Sequence, residues 1–234
     1  MSGAAGEGWQ PPQRPDWVLA LEQAEAGPIA EEAALPLSLE SLLGEAAARQ
    51  GCAAATVSEL AGLYGRPGFE AEPAIENLER LLAALEGEAR LTRLGRSMTR
   101  RFLLRLLEVR LQLMGVLDAD PGVVEEVIQA PLIVAGAPRT GTTILHTLLA
   151  ADPRYRVPLG WELLRPVPSP GADAARAATD PRVALADREL VGPQTVVSGL
   201  LSIHAYGGSN PKECLSAMSF EFQSEEFTAR YAVP

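Results

Sequence analysis

The sequence predicts an α/β chain in which an all-helical N-terminal region leads into the start of a parallel sheet. Three observations carry this expectation. Apolar residues recur at helical spacing through residues 38–116. The period changes after Asp118-Ala119-Asp120-Pro121-Gly122. Beyond it a short run with β-branched residues at its centre, Pro131-Leu132-Ile133-Val134-Ala135-Gly136, passes through a Gly-bearing loop into a further helical run. The predicted parts are a mobile N-terminal arm over 1–37, a helical region over 38–129, and the start of an α/β domain over 130–234.

Each element has a local reason. The opening segment to about Pro36 is rich in Pro, Gly, Ala and Glu and shows little periodicity, so it is read as an arm, docked at most late through Trp9 or Trp17. Ser38 can N-cap a run that places Leu39, Leu42 and Leu43 on one face and stops at Gly51. Gly65-Arg66-Pro67-Gly68 turns the chain into a second run, where Ile75, Leu78, Leu81, Leu82 and Leu85 share a face up to Gly87. A third run carries Phe102, Leu103, Leu106, Val109, Leu113 and Val116. Its arginines at 93, 96, 100, 101, 105 and 110 spread over more than one face. Two readings of that cluster stay open: a solvated face paired with acidic residues of the N-terminal third, or an electropositive patch near an anion. Val123 to Ile128 is predicted as a short helical turn, Thr142 to Ala151 as a helix, and Arg154 to Leu159 as a second strand.

Composition excludes several classes. The chain has 234 residues, 47% apolar and 21% charged, which is enough for a real core and too apolar for wholesale disorder. Twenty basic against 30 acidic side chains, net −10, argue against a nucleic-acid coat protein. Residues 1–89 carry net −11 and residues 90–116 net +6. Cys52 and Cys214 lie far apart without metal-ligand spacing, so neither a disulfide scaffold nor a metal site is expected. The N-terminus lacks a signal-peptide pattern, and no apolar run reaches the roughly 18 residues of a spanning helix. A soluble cytoplasmic protein is the expectation. Nineteen of the 20 basic residues are Arg and Lys212 alone is Lys. An Arg in place of a Lys is therefore weak evidence for altered chemistry here.

The segment with chemical content is 131–146. A strand running through a tight turn with Pro138 and Gly141 into a helix leaves backbone N–H groups without intrahelical acceptors at the positive end of the helix dipole. Thr142, Thr143 and Arg139 point at the same place, which makes a nest for a phosphate- or sulfate-like anion. Compared with the loop G-x-x-x-x-G-K-[ST], Gly136, Gly141 and Thr143 match, but Thr142 stands at the lysine position and the cation has moved to Arg139. A phosphotransferase could hardly spare that lysine. Nor does an apolar strand ending in Asp follow to hold magnesium.

The run Pro138-Arg139-Thr140-Gly141-Thr142-Thr143 resembles the 5′-phosphosulfate-binding loop of the sulfotransferases, P-[KR]-[ST]-G-[ST]-[ST]. It is most similar to the bacterial group with Arg in that loop. Gly95-Arg96, Arg110-Leu111, Asp152-Pro153, Trp161-Glu162 and Glu213-Cys214 extend the resemblance over about residues 38–234. The resemblance implies a nucleoside-triphosphate-hydrolase-like P-loop sheet and transfer of a sulfuryl group from 3′-phosphoadenylyl sulfate to a hydroxyl or amine of a small-molecule acceptor, without a metal. It implies that Arg139 stabilises the leaving phosphate and that Thr140, Gly141, Thr142 and Thr143, after Pro138, contact the 5′-phosphate. His204 is the candidate general base or a structural donor, with Glu162 and Glu213 as alternatives. His146, four residues past Thr142, is read as packing or capping.

The sequence departs from the family in carrying no recognisable 3′-phosphate site and no later Gly-rich basic segment. The chain is thus expected to be an N-terminal fragment with an incomplete sheet, leaving Leu132–Ala135 and the apolar segment Val196–Ile203 exposed and sticky. A P-loop small-molecule kinase, or a non-catalytic protein associating through its helical region, are the competing functions.

Overall fold

The structure is a computed structural model that describes residues 13–137, 139–168, 180–196, 206–231 and 233. The predicted helical region is present. Helix α3 (Leu39–Arg49) is capped by Ser38, whose hydroxyl accepts from Ser41 N at 3.3 Å. Thr56 and Glu59 form a capping box at the start of α4 (Val57–Gly62). Helices α5 (Ala71–Gly87) and α6 (Arg93–Ala119) follow, and Thr92 caps α6 through Gly95 N at 3.1 Å. The leucines spaced for one face do bury together. Leu42, Leu43, Leu78, Leu103, Leu106 and Leu107 are fully inaccessible.

Residues 13–37 are a correction to the expected arm. Helices α1 (Asp16–Gln23) and α2 (Pro28–Ala34) lie against α6. Trp17 is not what docks them, since it stays 49% exposed. Val18, Ala33 and Leu37 are the buried contacts, and Glu32 pairs with Arg101 and accepts from the Ser97 hydroxyl at 2.7 Å. The apolar residues here are too few for a visible period, so packing onto α6, rather than local pattern, supplies the helices' stability.

Some arginines of α6 fit the first of the two readings and others fit neither. Arg96 and Arg101 reach Glu86 and Glu32, as a face paired with the acidic third would. Arg100 and Arg110, by contrast, are fully buried rather than solvated. Arg100 binds Glu45, Ser41 Oγ and Pro36 O. Arg110 donates to Tyr64 O, Glu70 O and Phe220 O at 2.7, 2.7 and 3.1 Å, pairs with Glu221 at 2.5 Å, and stacks over Phe69. Its guanidinium thereby closes the helical core onto the far end of the chain, where Phe220, Phe222, Phe227, Tyr231 and Val233 join the same cluster.

The sheet is the second correction. Among the described residues Pro131–Gly136 pairs with no neighbouring strand, and Leu132 and Ile133 are 58% and 79% exposed. A strand is defined by its partner's N–H and C=O groups, so the right residues alone do not make a ladder. The expected strand at 154–159 is reduced to one bridge, Leu159 to Pro211, and it is antiparallel. The turn expected at 123–128 is a 3-10 turn over Pro121–Glu125. Helix α7 (Thr142–Ala150) follows the loop as expected. Helices α8 (Gly160–Leu164) and α9 (Pro181–Val196) then pack around a second small cluster of Trp161, Leu164 and Ala186. Helices α10 (Leu215–Met218) and α11 (Glu225–Tyr231) complete the described chain. No helix among the described residues is long and apolar enough to cross a membrane.

Candidate anion-binding site

The loop after Gly136 is folded by glycine and by strain. Gly141 sits at φ 92° as the N-cap of α7, a backbone state that any other residue would enter at a cost. Thr142 and Thr143 are therefore the first two residues of the helix, where N–H groups lack intrahelical acceptors. Arg139 is exposed and lies at φ 68°, the left-handed region, which costs a non-glycine residue about 1–2 kcal/mol. Thr140 turns its hydroxyl back to Ala137 O at 2.6 Å. A Cβ at Gly136 would meet Thr140 Oγ1 and Thr142 Cγ2, each at 2.9 Å, so the loop folds directly over that position. The N–H groups of Thr142 and Thr143 thus stand at the N-terminus of α7, and Arg139 lies two residues before its N-cap.

The other predicted site residues fall elsewhere. Pro138 and His204 lie outside the described residues, as does most of Val196–Ile203. His146 is half-buried on α7. Glu162 is engaged structurally: Oε2 accepts from Leu159 N at 2.9 Å, closing the start of α8, and Oε1 accepts from Arg156 at 2.7 Å. Glu162 thus caps the helix rather than standing free. Glu213 is exposed just before α10.

Around α8 the structure assembles groups that the sequence did not single out. On one side, Gly160 N and Trp161 N donate to Asn210 O and Gly208 O, each at 2.9 Å, and Lys212 N donates to Pro158 O at 3.0 Å. Asp187 on α9 fixes the same strap through Gly208 N at 2.6 Å. On the other side, Arg105 donates to Leu164 O and Arg182 to both Arg165 O and Pro166 O, all at 3.0 Å. Arg182 also lies 4.4 Å over the Trp161 ring and is clasped by Asp180. Burial pushes Arg105 down to about 10, with Glu189 working against that shift. The hydrogen bond from Arg182 holds the Asp180 carboxyl below the usual carboxylate range. The arginines carried no distinguishing signal. Asp180-Pro181-Arg182 repeats Asp152-Pro153-Arg154, and that repetition was the one available clue. Among the described residues no group of three or more His, Cys, Asp or Glu side chains converges as metal ligands would.

Comparison with known proteins bears on this segment directly. Residues 131–233 match the family model described as the sulfotransferase family. The whole fold is similar to the crystal structure of the sulfotransferase STF1 from Mycobacterium tuberculosis H37Rv, with TM-score 0.64 and 27% identity over 83% of this chain and 51% of that one. It is also similar in fold to the sulfotransferase STF9 from Mycobacterium avium, with TM-score 0.63 and 24% identity over 85% of this chain and 48% of that one. The chain thus spans about half the length of the solved structures it matches. No curated protein matches it. Residues 131–233 are thus similar to the sulfotransferase family.

Proposed function

We propose that the chain takes part in sulfuryl transfer from 3′-phosphoadenylyl sulfate to a hydroxyl or amine of a small-molecule acceptor in the cytoplasm. The observation that carries this reading is the loop geometry within the family segment: Gly141 at φ 92° opening α7 on Thr142 and Thr143, beside Arg139 at φ 68°. A left-handed arginine is a local expense that a plain strand–turn–helix corner does not need.

The donor supplies an activated sulfuryl group whose S–O bond to the 5′-phosphate breaks as the acceptor oxygen or nitrogen bonds to sulfur. The bridging oxygen and its electron pair stay with the phosphate, leaving adenosine 3′,5′-bisphosphate. Thr140, Gly141, Thr142 and Thr143, following Pro138, hold the 5′-phosphate by backbone N–H and hydroxyl. Arg139 offsets the charge that grows on the bridging oxygen, which lowers the barrier electrostatically. No metal is called on. His204 takes the acceptor's proton in this reading; the cap and ion pair of Glu162 already occupy both its carboxylate oxygens.

The test is Arg139→Ala. Transfer of labelled sulfuryl from 3′-phosphoadenylyl sulfate to a panel of phenols, sterols and amines falls by about two to three orders of magnitude. The melting temperature stays unchanged, because the residue is exposed. A variant within a factor of about three of the unaltered protein removes Arg139 from the mechanism.

A further inference from the structure

The two glycines that frame the loop are needed for opposite reasons. A Cβ at Gly141 would meet nothing within 4 Å, and what that residue supplies is its left-handed backbone at φ 92°. Gly136 is not at positive φ, so alanine can take its backbone without strain. Its role is space. A Cβ there would stand 2.9 Å from Thr140 Oγ1 and 2.9 Å from Thr142 Cγ2, closer than real Cβ contacts come. Neither atom ends a long side chain that could swing clear. Each sits directly on the Cβ of a β-branched residue, so the loop itself would have to shift.

Thr140 Oγ1 is the polar atom that this space admits, and its bonding is already set. It donates to Ala137 O at 2.6 Å. A threonine hydroxyl carries one proton, and an ionised phosphate offers acceptors only, so a hydroxyl that donates to the chain does not also donate to such a ligand. The bond spans Arg139, which lies at φ 68°. A residue other than glycine enters that region at a cost and stays there when its surroundings over-determine it. The hydroxyl bond across Arg139 is a local tie of that kind. The start of α7 is fixed without it, since Leu145 N donates to Gly141 O at 3.0 Å as the helix begins.

We propose that Thr140 is a positioning residue for sulfuryl transfer: its hydroxyl latches the loop onto Ala137 and holds the backbone of Arg139, and Gly136 keeps the space in which the latch closes. This rests on the functional reading above, and it leaves Thr140 its backbone N–H, rather than its hydroxyl, for the 5′-phosphate. The guanidinium that offsets charge on the bridging oxygen is carried on a backbone whose direction depends on that left-handed φ. Misplacing a catalytic group by about 1 Å costs on the order of 10²-fold in rate, so a latch that touches no reacting atom still matters.

The test uses the whole chain with Thr140→Val, which keeps the shape and loses the hydroxyl, with Thr140→Ser, and with Gly136→Ala. Both positions are exposed, so the variants leave the core intact. Without nucleotide, the Cα and Cβ resonances of residue 139 report its backbone region. They leave the left-handed range in Thr140→Val and in Gly136→Ala and return to it in Thr140→Ser. In steady-state transfer from 3′-phosphoadenylyl sulfate, kcat/KM falls about tenfold in Thr140→Val and in Gly136→Ala, and Thr140→Ser recovers most of that loss. The cycle with Arg139→Ala decides the route. Because Thr140 acts through Arg139, Thr140→Val costs less than about twofold in that background. A tenfold loss in both backgrounds makes the hydroxyl a direct ligand and overturns the proposal, as do residue 139 resonances that Thr140→Val leaves unchanged. An unaltered protein that transfers no sulfuryl overturns the functional reading and with it this role. The nucleotide-free resonances then show separately whether the latch holds Arg139.

Discussion

The tripeptide Asp-Pro-Arg occurs at 152–154 and again at 180–182, and it folds the same way both times. In each, the aspartate Oδ1 accepts from the arginine backbone N–H, at 3.0 and 2.9 Å, and the carboxylate takes the guanidinium Nε and Nη2. What differs is the setting. Arg154 is 79% exposed and its clasp ends there. Arg182 is 6% exposed, lies over Trp161, and spends its remaining donor on two carbonyls at the end of α8. Identical local chemistry is decoration in one place and a keystone in the other, because only the second has a core to lean on.

A similar contrast holds between larger regions of the molecule. Residues between Leu37 and Leu113, together with Phe220, Phe222, Phe227, Tyr231 and Val233, share one packed core. Residues 121–157 do not: α7 has no buried residue, and Ile128, Ile133, Ile144 and Leu148 are 82%, 79%, 69% and 66% exposed. In the first region polar side chains are tied across long sequence separations. In the second, structure is local.

Substitutions should separate the regions sharply. The largest effect is expected at Arg110, whose replacement by Met strands the carbonyls of Tyr64, Glu70 and Phe220 and the carboxylate of Glu221. Urea unfolding should show a loss of about 4 kcal/mol. A loss below about 1 kcal/mol would mean that the two ends of the chain are not one folding unit. Arg182→Met is expected to cost about 3 kcal/mol, since it breaks a buried pair and frees the end of α8. The corresponding Arg154→Met should leave the unfolding midpoint where it was, and a comparable shift in both would erase the contrast.

Acid sharpens the comparison further. Arg182 holds the Asp180 carboxyl below its ordinary range, so that clasp stabilises the fold fully above the unfolded value of about 4. The contribution is lost as pH falls through the lowered folded value. Asp180→Asn should therefore lie well below the unaltered protein in stability at pH 7 and approach it near pH 2. Asp152 is lowered too, by Arg154, but its substitution should leave little difference at either pH. The smallest effect is expected at Leu148→Ser, within about 0.5 kcal/mol by the same measurement, because the side chain is already in water. Its aggregation on heating should decrease.

What the sequence disclosed follows the same division. The helices of the core were legible because leucines at i, i+3 and i+4 define a face without reference to the rest of the chain, and Ser38 marks the start of α3. The turn into α7 was legible because Gly141 and its neighbours set a backbone path within six residues. The lines that went astray depend on partners far away in sequence. Nothing in Asp16–Ala34 announces α6 as its support. Nothing in Leu132–Gly136 states which strand completes it. Arg105, Arg110 and Arg182 look like any of the other arginines until their carbonyl partners are known.

The central claim is that residues 138–143 form the phosphosulfate nest, and binding of adenosine 3′,5′-bisphosphate followed through backbone amide resonances tests it most directly. The account predicts saturable shifts concentrated at Thr140, Gly141, Thr142 and Thr143, abolished by Arg139→Ala and not reproduced by ATP with magnesium. Shifts confined to other residues, or an equal response to ATP with magnesium, would contradict it.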